Sequence, residues 1–205
     1  SGGRAGGCPD GGLIFSGQWT AREFPALEAI RLLTLLKAGA LMHIILASQS
    51  PRRRELLEQV GLTGFTVRPA RGEERAGPDL SPEELVEELS RQKAREVAAS
   101  ADPDDLVIAA DTVVAIDGQI LGKPRDPADA RRMLTLLSGR TNTVCTGVTV
   151  CRAGRFETGH EVTAVRFRPL SQEEISAYVS SGEPMDKAGA YGIQGLGALL
   201  VEGIE

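Results

Sequence analysis

Short apolar runs alternate with longer amphipathic segments along most of this chain. The runs with the length and residue types of strands cover 43–47, 65–68, 106–110, 143–151 and 161–168. The segments with helix start signals cover 51–61, 82–99, 127–138 and 172–179. This alternation predicts an α/β fold.

All four predicted helices begin at recognisable start signals. Ser81 and Ser171 each stand three residues before a glutamate, which is the spacing of a capping box. Ser50 and Asp126 each precede a proline, a residue favoured at the first position of a helix. Local sequence therefore predicts where each helix starts.

A β-hairpin is predicted around Asp117-Gly118. The dipeptide lies between the runs 112–116 and 119–123, and Asp-Gly in that setting is typical of a two-residue type I′ turn. Such a turn pairs Ile116 with Gln119, the two residues that flank it.

Asp111 stands between the apolar run 106–110 and this hairpin. Counting back from the turn places Lys123 opposite Thr112, next to that carboxylate. We therefore expect a carboxylate at a buried strand end beside a lysine ammonium. The pair indicates either a site for phosphate chemistry or an incidental charge pair at the hairpin end.

Residues 1–41 differ from the rest of the chain. The first 12 are rich in glycine, and charges interrupt 22–38 too often for a membrane span or the core of a signal peptide. Met42 directly precedes the first predicted strand, so we expect it to be the natural start. We interpret 1–41 as an atypical extension, added or from a misplaced start, and 42–205 as one domain.

Composition argues against several classes of function. The chain carries a net charge of −5, which is against general affinity for nucleic acid or membrane. Cys145 and Cys151 would lie on one strand, roughly 20 Å apart, too far to form a disulfide. His43 and His160 are the only histidines, and neither has zinc-site spacing with a cysteine. A reducing cytoplasm fits this composition best.

Three arginines, Arg52, Arg53 and Arg54, fall in the first turn of the helix that starts at Pro51. Cations there oppose the helix macrodipole, whose N-terminus is effectively positive. A bound anion would make the placement favourable, because backbone N–H groups and guanidinium groups would both donate to it. Ser48 adds a hydroxyl nearby. The alternative is a set of solvated arginines, and the glycines of a P-loop are absent.

The helix at 82–99 has apolar residues at intervals of four, and Lys93 takes one of these positions. Either its stem packs on the core while the ammonium reaches water, or the ammonium points into a cleft. In the second case it could join Arg52, Arg53 and Lys123 in a cluster suited to a polyphosphate.

Carboxylates supply the second half of a possible phosphate site. Glu73 and Glu74 follow a predicted strand, and Asp111 follows another. Two or three oxygen ligands together with substrate phosphates usually hold Mg²⁺. The alternative for Glu73 and Glu74 is a solvated, charged loop.

A series of motifs stands in fixed order through 43–205. They are Ser48-Gln49-Ser50-Pro51-Arg52-Arg53, Lys93-Ala94, Ala110-Asp111-Thr112, Gly122-Lys123-Pro124, Leu137-Ser138-Gly139-Arg140-Thr141, Thr146-Gly147-Val148, Phe167-Arg168-Pro169-Leu170 and the run 182–195. With these motifs the chain resembles the Maf family of nucleotide pyrophosphatases.

The resemblance implies hydrolysis of a nucleoside triphosphate to the monophosphate and pyrophosphate with a divalent cation. It implies that Asp111 is the proton acceptor. It also implies that Arg52, Thr112 and Gln194 select the nucleobase, and their residue types match the dTTP/UTP branch of the family. It also implies an elongated mixed β-sheet flanked by helices, with two lobes around a central cleft, as in inosine-triphosphatase-like proteins. A homodimer is common in the family.

Residues and resemblance together give a hypothesis for the site. The catalytic set is Asp111, Lys93 and Lys123; the substrate-binding set is Ser48, Arg52, Arg53, Thr112 and Gln194; Glu74 and Asp111 hold Mg²⁺ or Mn²⁺. Two alternatives stay open: a nucleotide-binding regulator of cell division or septum formation with weak or lost hydrolysis, and a structural α/β domain.

The chain departs from the family pattern at three places. Glu73 replaces the usual aspartate before Glu74, and Asn142 stands where histidine is usual. The chain ends at Glu205, before the family's Gly-Asp-Tyr and Val-Val-Gly-Leu-Pro segments. We interpret 42–205 as truncated at its C-terminus and expect reduced stability or activity.

Overall fold

A mixed sheet forms the centre of the protein in the computed structural model, which describes residues 43–77 and 79–205. Over these residues the sheet has seven strands in the order β2-β1-β3-β5-β6-β7, and β4 pairs with β3. The strands are β1 (Ile44–Leu46), β2 (Thr66–Val67), β3 (Leu106–Ile116), β4 (Gln119–Leu121), β5 (Thr141–Arg152), β6 (Arg155–Phe167) and β7 (Val201–Ile204). β1 runs parallel to β2 and β3, and the other neighbours are antiparallel. The interpretations of 1–41 and of Met42 lie outside the described residues.

Four α-helices flank the sheet in the described residues, which confirms the predicted α/β class. They are α1 (Pro51–Gln59), α2 (Pro82–Ala98), α3 (Pro127–Leu137) and α4 (Gln172–Ser180), with 3₁₀ turns at Glu183–Asp186, Ala188–Ala190 and Leu196–Leu200. Every predicted helix start is confirmed. Ser81 and Ser171 form complete capping boxes. Ser50 occupies the N-cap position of α1, but its side chain makes no capping hydrogen bond.

The predicted hairpin is confirmed, whereas the predicted strand end at Asp111 is wrong. Asp117 and Gly118 have φ of 50° and 73°, as a type I′ turn requires, and Ile116 pairs with Gln119. β3, however, continues through Asp111, which pairs with Gly147 of β5. A single carboxylate inside an apolar stretch indicated a boundary, but a charged partner from a distant helix allows the strand to continue.

The predicted position of Lys123 opposite Thr112 is also wrong. The ladder between β3 and β4 stops at Leu121, and the strand partner of Thr112 is Thr146 of β5. The carbonyl of Gly122 accepts a hydrogen bond from the Gly189 N–H at 3.0 Å. The chain is therefore tied to a different segment before it reaches Lys123, which is exposed.

Hydrophobic residues pack on both faces of the sheet, and the expected two lobes around a cleft stay a prediction. On one face, α2 packs over the odd-numbered β3 residues Val107, Ala109 and Val113. On the other face, the core that includes α3 and α4 contains the even-numbered residues Val114 and Ile116. Because side chains alternate along a strand, Asp111 lies on the α2 face and Thr112 on the opposite face.

Gly147 lets α2 approach the sheet closely. A Cβ atom at this position would overlap the carbonyl of Val86 and lie 2.8 Å from the backbone nitrogen of Glu87. Lys93 follows Val86 by two helical turns on the same helix. Because Gly147 has no side chain, α2 can pack directly against β5, the strand that pairs with β3 at Asp111.

The remaining predictions concern cysteines and membrane association. Cys145 and Cys151 both lie on β5 as predicted, where they are buried free thiols whose pKa is raised by burial. Within 43–77 and 79–205, no helix has both the length and the apolar character needed to cross a bilayer.

Candidate active site

The edge of β3 is open between β1 and β4. β1 pairs with β3 only as far as Ile108, and β4 pairs with it only from Val114 onward. Residues 109–113 therefore have a strand neighbour on one side alone, namely β5. We call this open stretch of β3 the notch, and it contains Asp111 and Thr112.

Arg53 from α1 borders the notch. Its guanidinium donates to the Ala110 carbonyl at 2.7 Å, to Ser48 Oγ at 3.2 Å and to Thr112 Oγ1 at 3.1 Å. Burial lowers the pKa of Arg53, and the nearby Asp111 carboxylate opposes that shift. The arginine is thus held by protein groups, and it links the end of β1 to the open edge of β3.

The ammonium of Lys93, on α2, contacts both of the carboxylates that are predicted to bind a metal. Its Nζ contacts Asp111 Oδ1 and lies 2.9 Å from Glu74 Oε1. The side chains of Lys93 and Asp111 are only 17% and 13% exposed, whereas that of Glu74 is 54% exposed. The ammonium of Lys93 is thus paired with carboxylates rather than surrounded by water, and a cleft at this position stays a prediction. Glu73 instead pairs with the exposed Arg75.

Arg52 meets the segment that carries Gln194. A Cβ atom at Gly192 would lie 2.6 Å from Arg52 Nη1 and 2.8 Å from the Cδ and Cε atoms of Lys187. Gln194 follows two residues later and is exposed. Two of the three residues expected to choose the base, Arg52 and Gln194, therefore belong to neighbouring parts of the structure.

The structure brings together most of the predicted site residues. Direct contacts connect Lys93, Asp111 and Glu74 on the α2 side of the notch. Further contacts connect Arg53 with Ser48 and Thr112. Arg52 adjoins Arg53 in α1, and Lys123 forms neither a hydrogen bond nor an ion pair by its side chain within the described part of the chain.

Sequence reasoning missed the residues that hold the segment around Gln194. Tyr191 donates its hydroxyl to the Asn142 side-chain oxygen at 2.9 Å, and the Asn142 amide donates to the Val165 carbonyl at 3.0 Å. Asn142 is buried and both polar atoms of its side chain are hydrogen-bonded, so the unusual residue at this position has a structural role. Its place after Arg-Thr marked Asn142 as unusual, and Tyr191 lies in the motif run 182–195, but no local signal indicated that the two side chains are partners.

Glu74 and Asp111 are the side chains available near the notch for a divalent cation. Among residues 43–77 and 79–205, no three His, Cys, Asp or Glu side chains are grouped for metal coordination. Two carboxylates fit a Mg²⁺ site only where substrate phosphates and water complete the oxygen ligands, which is the usual arrangement for that ion. The donor set is therefore compatible with a cation that arrives with a nucleotide.

Comparison with known protein families extends over this whole region. A family model described as Maf-like protein matches residues 43–205, which include every residue of the candidate site. This chain belongs to the Maf family.

Named relatives of this Maf protein are similar over most of their length. A dTTP/UTP pyrophosphatase of Moorella thermoacetica is 57% identical over 164 residues, covering 79% of this chain and 84% of the relative. A dTTP/UTP pyrophosphatase of Agathobacter rectalis is 54% identical over 181 residues, covering 79% and 86%. Among solved structures, the Staphylococcus aureus Ham1 protein aligns with a TM-score of 0.46 at 14% identity, covering 61% of this chain and 71% of that one.

Proposed function

We propose that this Maf protein hydrolyses dTTP and UTP to the nucleoside monophosphate and pyrophosphate. The observation that carries the proposal is the contact of Lys93 with both Asp111 and Glu74 at the open edge of β3. The relatives from Moorella thermoacetica and Agathobacter rectalis, both named dTTP/UTP pyrophosphatase, support the same activity. Because of these names, we do not favour a regulator of cell division with lost hydrolysis.

In the proposed reaction, the triphosphate competes with the two carboxylates for the Lys93 ammonium. Phosphate oxygens carry more negative charge than one carboxylate, so Lys93 would turn toward the substrate and leave Asp111 free to accept a proton. Asp111 takes that proton from a water whose oxygen bonds to the α-phosphorus. The bond from the α-phosphorus to the bridging oxygen breaks, and pyrophosphate leaves.

The other predicted site residues take binding roles in this proposal. The Ser48 hydroxyl, Arg52, Arg53 and Lys123 would contribute donors and positive charge to the polyphosphate. Arg53 already donates hydrogen bonds to Ser48 and Thr112. We therefore assign it a role in shaping the notch as well as in attracting the triphosphate. Lys123 would have to reorient to join the site, since it is exposed beyond the end of β4.

We propose Mg²⁺ or Mn²⁺ as the cofactor, held by Glu74, Asp111 and substrate phosphates. When bound, such an ion neutralises charge that develops on the departing pyrophosphate. Glu74 is the more exposed of the two carboxylates, so it can turn toward a phosphate-bound ion without disturbing buried side chains. We also propose that the protein acts in the cytoplasm and as a homodimer.

Release of pyrophosphate from a panel of dTTP, UTP, CTP, ATP and GTP tests the activity. We expect dTTP and UTP to be hydrolysed faster than the purine nucleotides, with the monophosphate and pyrophosphate as products, and we expect EDTA to stop the reaction. Release of single phosphate would contradict cleavage between the α and β phosphates. Equal or faster hydrolysis of GTP would contradict the pyrimidine assignment.

A further inference from the structure

The carboxylate of Glu183 holds the backbone of the segment that follows Gln194. Its Oε2 accepts the Leu196 N–H at 2.9 Å, and its Oε1 accepts the Gly197 N–H at 3.1 Å. Oε1 also accepts the hydroxyl of Tyr178 at 3.0 Å. One side chain therefore fixes two successive peptide groups, and α4 supports it through the tyrosine.

Close packing around this carboxylate depends on glycine. A Cβ atom at Gly195 would lie 2.6 Å from Glu183 Oε1, and one at Gly197 would lie 2.7 Å from the Tyr178 hydroxyl oxygen and 2.6 Å from the Gly192 carbonyl oxygen. Any side chain at either position would displace the carboxylate or its tyrosine partner. The glycines thus allow the backbone to close on Glu183.

Hydrogen bonding keeps this carboxylate ionised. Burial alone would raise the pKa of Glu183, but the N–H groups of Leu196 and Gly197 and the Tyr178 hydroxyl outweigh burial, so the pKa is lowered. Burial and the Glu183 carboxylate together raise the pKa of Tyr178, which therefore stays a donor. The group that holds the segment is thus a charged acceptor with three donors at neutral pH.

The segment is fixed at its other end as well. Tyr191 is buried, donates to Asn142, and packs edge-to-face on Phe167 with ring centroids 4.7 Å apart. Between the two attachments, Ile193 and Gln194 are exposed. A short exposed stretch held at both ends presents its side chains in a fixed position beside Arg52, which contacts Gly192.

We propose that Glu183 is a positioning residue for base recognition, which it performs by holding the backbone that presents Gln194 beside Arg52. This inference rests on the proposed function, because it assigns Gln194 to the choice of base. Glu183 touches neither the notch nor Lys93 in the described structure, so its contribution belongs to substrate selection rather than to the attack on phosphorus.

The test compares Glu183→Gln, Gln194→Ala and the double variant, with kcat and KM measured for dTTP and for GTP. In Glu183→Gln an amide N–H group replaces Oε2, which accepts the Leu196 N–H. Two donors then face each other, so this hydrogen bond is lost. We expect the ratio of kcat/KM for dTTP over GTP to fall by roughly tenfold, the scale of losing a hydrogen bond to a charged group. Most of the change should be in the KM for dTTP.

The double variant separates positioning from a general loss of structure. If Glu183 acts through Gln194, then Glu183→Gln should lower the ratio no further once Gln194 is alanine. Tyr178→Phe, which removes a single donor to the carboxylate, should give an intermediate fall. Asp129→Asn is the matched control, because Asp129 also accepts a backbone N–H, from Arg125, but lies on α3. It should leave the ratio unchanged.

Three outcomes would overturn the inference. An unchanged ratio in both Glu183→Gln and Tyr178→Phe would show that the carboxylate does not serve selection. A full additional loss in the double variant would show that Glu183 acts independently of Gln194. A wild-type protein that hydrolyses dTTP without preferring it to GTP would overturn the pyrimidine assignment, and this inference with it; a failure confined to the variants would leave that assignment standing.

Discussion

The two parts of the candidate site, one at Lys93 and one around Gln194, are held by different interactions. On the α2 side, Lys93 contacts Asp111 and Glu74, so opposite charges face one another across a short gap. On the side of Gln194, Glu183 accepts two backbone N–H groups and one hydroxyl, so the partners are neutral donors. The first arrangement can be rearranged by a charged ligand, whereas the second is satisfied within the protein.

This difference assigns the two parts different tasks. In the proposed reaction a triphosphate competes for Lys93 and changes the partners of Asp111, which suits a group that must accept a proton. The peptide groups bound by Glu183 already have an acceptor within the protein, so we expect the segment around Gln194 to keep its shape when a nucleotide binds. Pre-formed geometry of that kind favours selectivity.

The largest effect expected from breaking the charged side is the loss of turnover in Asp111→Asn. Asparagine has nearly the same size but is a poor proton acceptor, so kcat should fall by roughly 10²–10⁴-fold, the usual contribution of a general base. The measurement is steady-state release of pyrophosphate from dTTP. Asp105→Asn is a matched control, because Asp105 directly precedes β3 and pairs with His43. Turnover near that of the wild type in Asp111→Asn would remove this residue from the base role.

A smaller effect is expected from Gly147→Ala. This substitution moves α2, which carries Lys93, away from the sheet without changing any charge. The new methyl group would overlap the Val86 carbonyl, and because backbone cannot rotate away as a side chain can, α2 must lift from β5. We expect a loss of about 1–3 kcal/mol in the free energy of unfolding, the usual scale of overpacking. Chemical denaturation measures it.

Gly159→Ala on the neighbouring strand β6 is the control for that experiment, because nothing lies within 4 Å of a Cβ atom there. We expect Gly147→Ala also to slow dTTP hydrolysis, since Lys93 is carried on α2, while Gly159→Ala changes neither quantity. Equal unfolding free energies for the two variants would contradict the close approach of α2 to β5.

The smallest effect concerns acid and the side held by Glu183. The pKa of this carboxylate is lowered from its ordinary value of 4.5, so its contribution to stability is fully present above that value. As the pH falls through the lowered folded-state pKa, the contribution is lost. The difference in melting temperature between wild type and Glu183→Gln should therefore be constant from neutral pH down to about 4.5 and shrink below it. A difference that grows in acid would contradict the lowered pKa.

Local signals in the sequence predicted the elements, and distant partners explain what they missed. The capping boxes of α2 and α4 and the Asp117-Gly118 turn involve residues within a few positions of one another, so the sequence alone predicts them. The continuity of β3 through Asp111 depends on Lys93, which is 18 positions away. An apolar run interrupted by a carboxylate looks like a strand end until that partner is known.

The candidate site was predictable only in part for the same reason. Lys93 stood out because it interrupts an apolar stripe, and its ammonium indeed points at the carboxylates. Lys123 was placed by extending the hairpin ladder, and the hydrogen bond from Gly189 to the Gly122 carbonyl ends that extension. Glu183 lies in the motif run 182–195, but its role gave no signal, because two of its three partners are backbone N–H groups, which every residue except proline carries.

The separation of catalysis at Asp111 from base selection around Gln194 is tested most directly with the Asp111→Asn variant. Calorimetry would measure its affinity for dTTP and for GTP under conditions where no turnover occurs. We predict that this variant still binds dTTP more tightly than GTP. The ratio of the two Kd values should equal the ratio measured on the wild-type protein with non-hydrolysable analogues of the same two nucleotides. Equal affinity for the two nucleotides in Asp111→Asn, with the wild type still discriminating, would show that chemistry and base choice are not separate and would contradict the account.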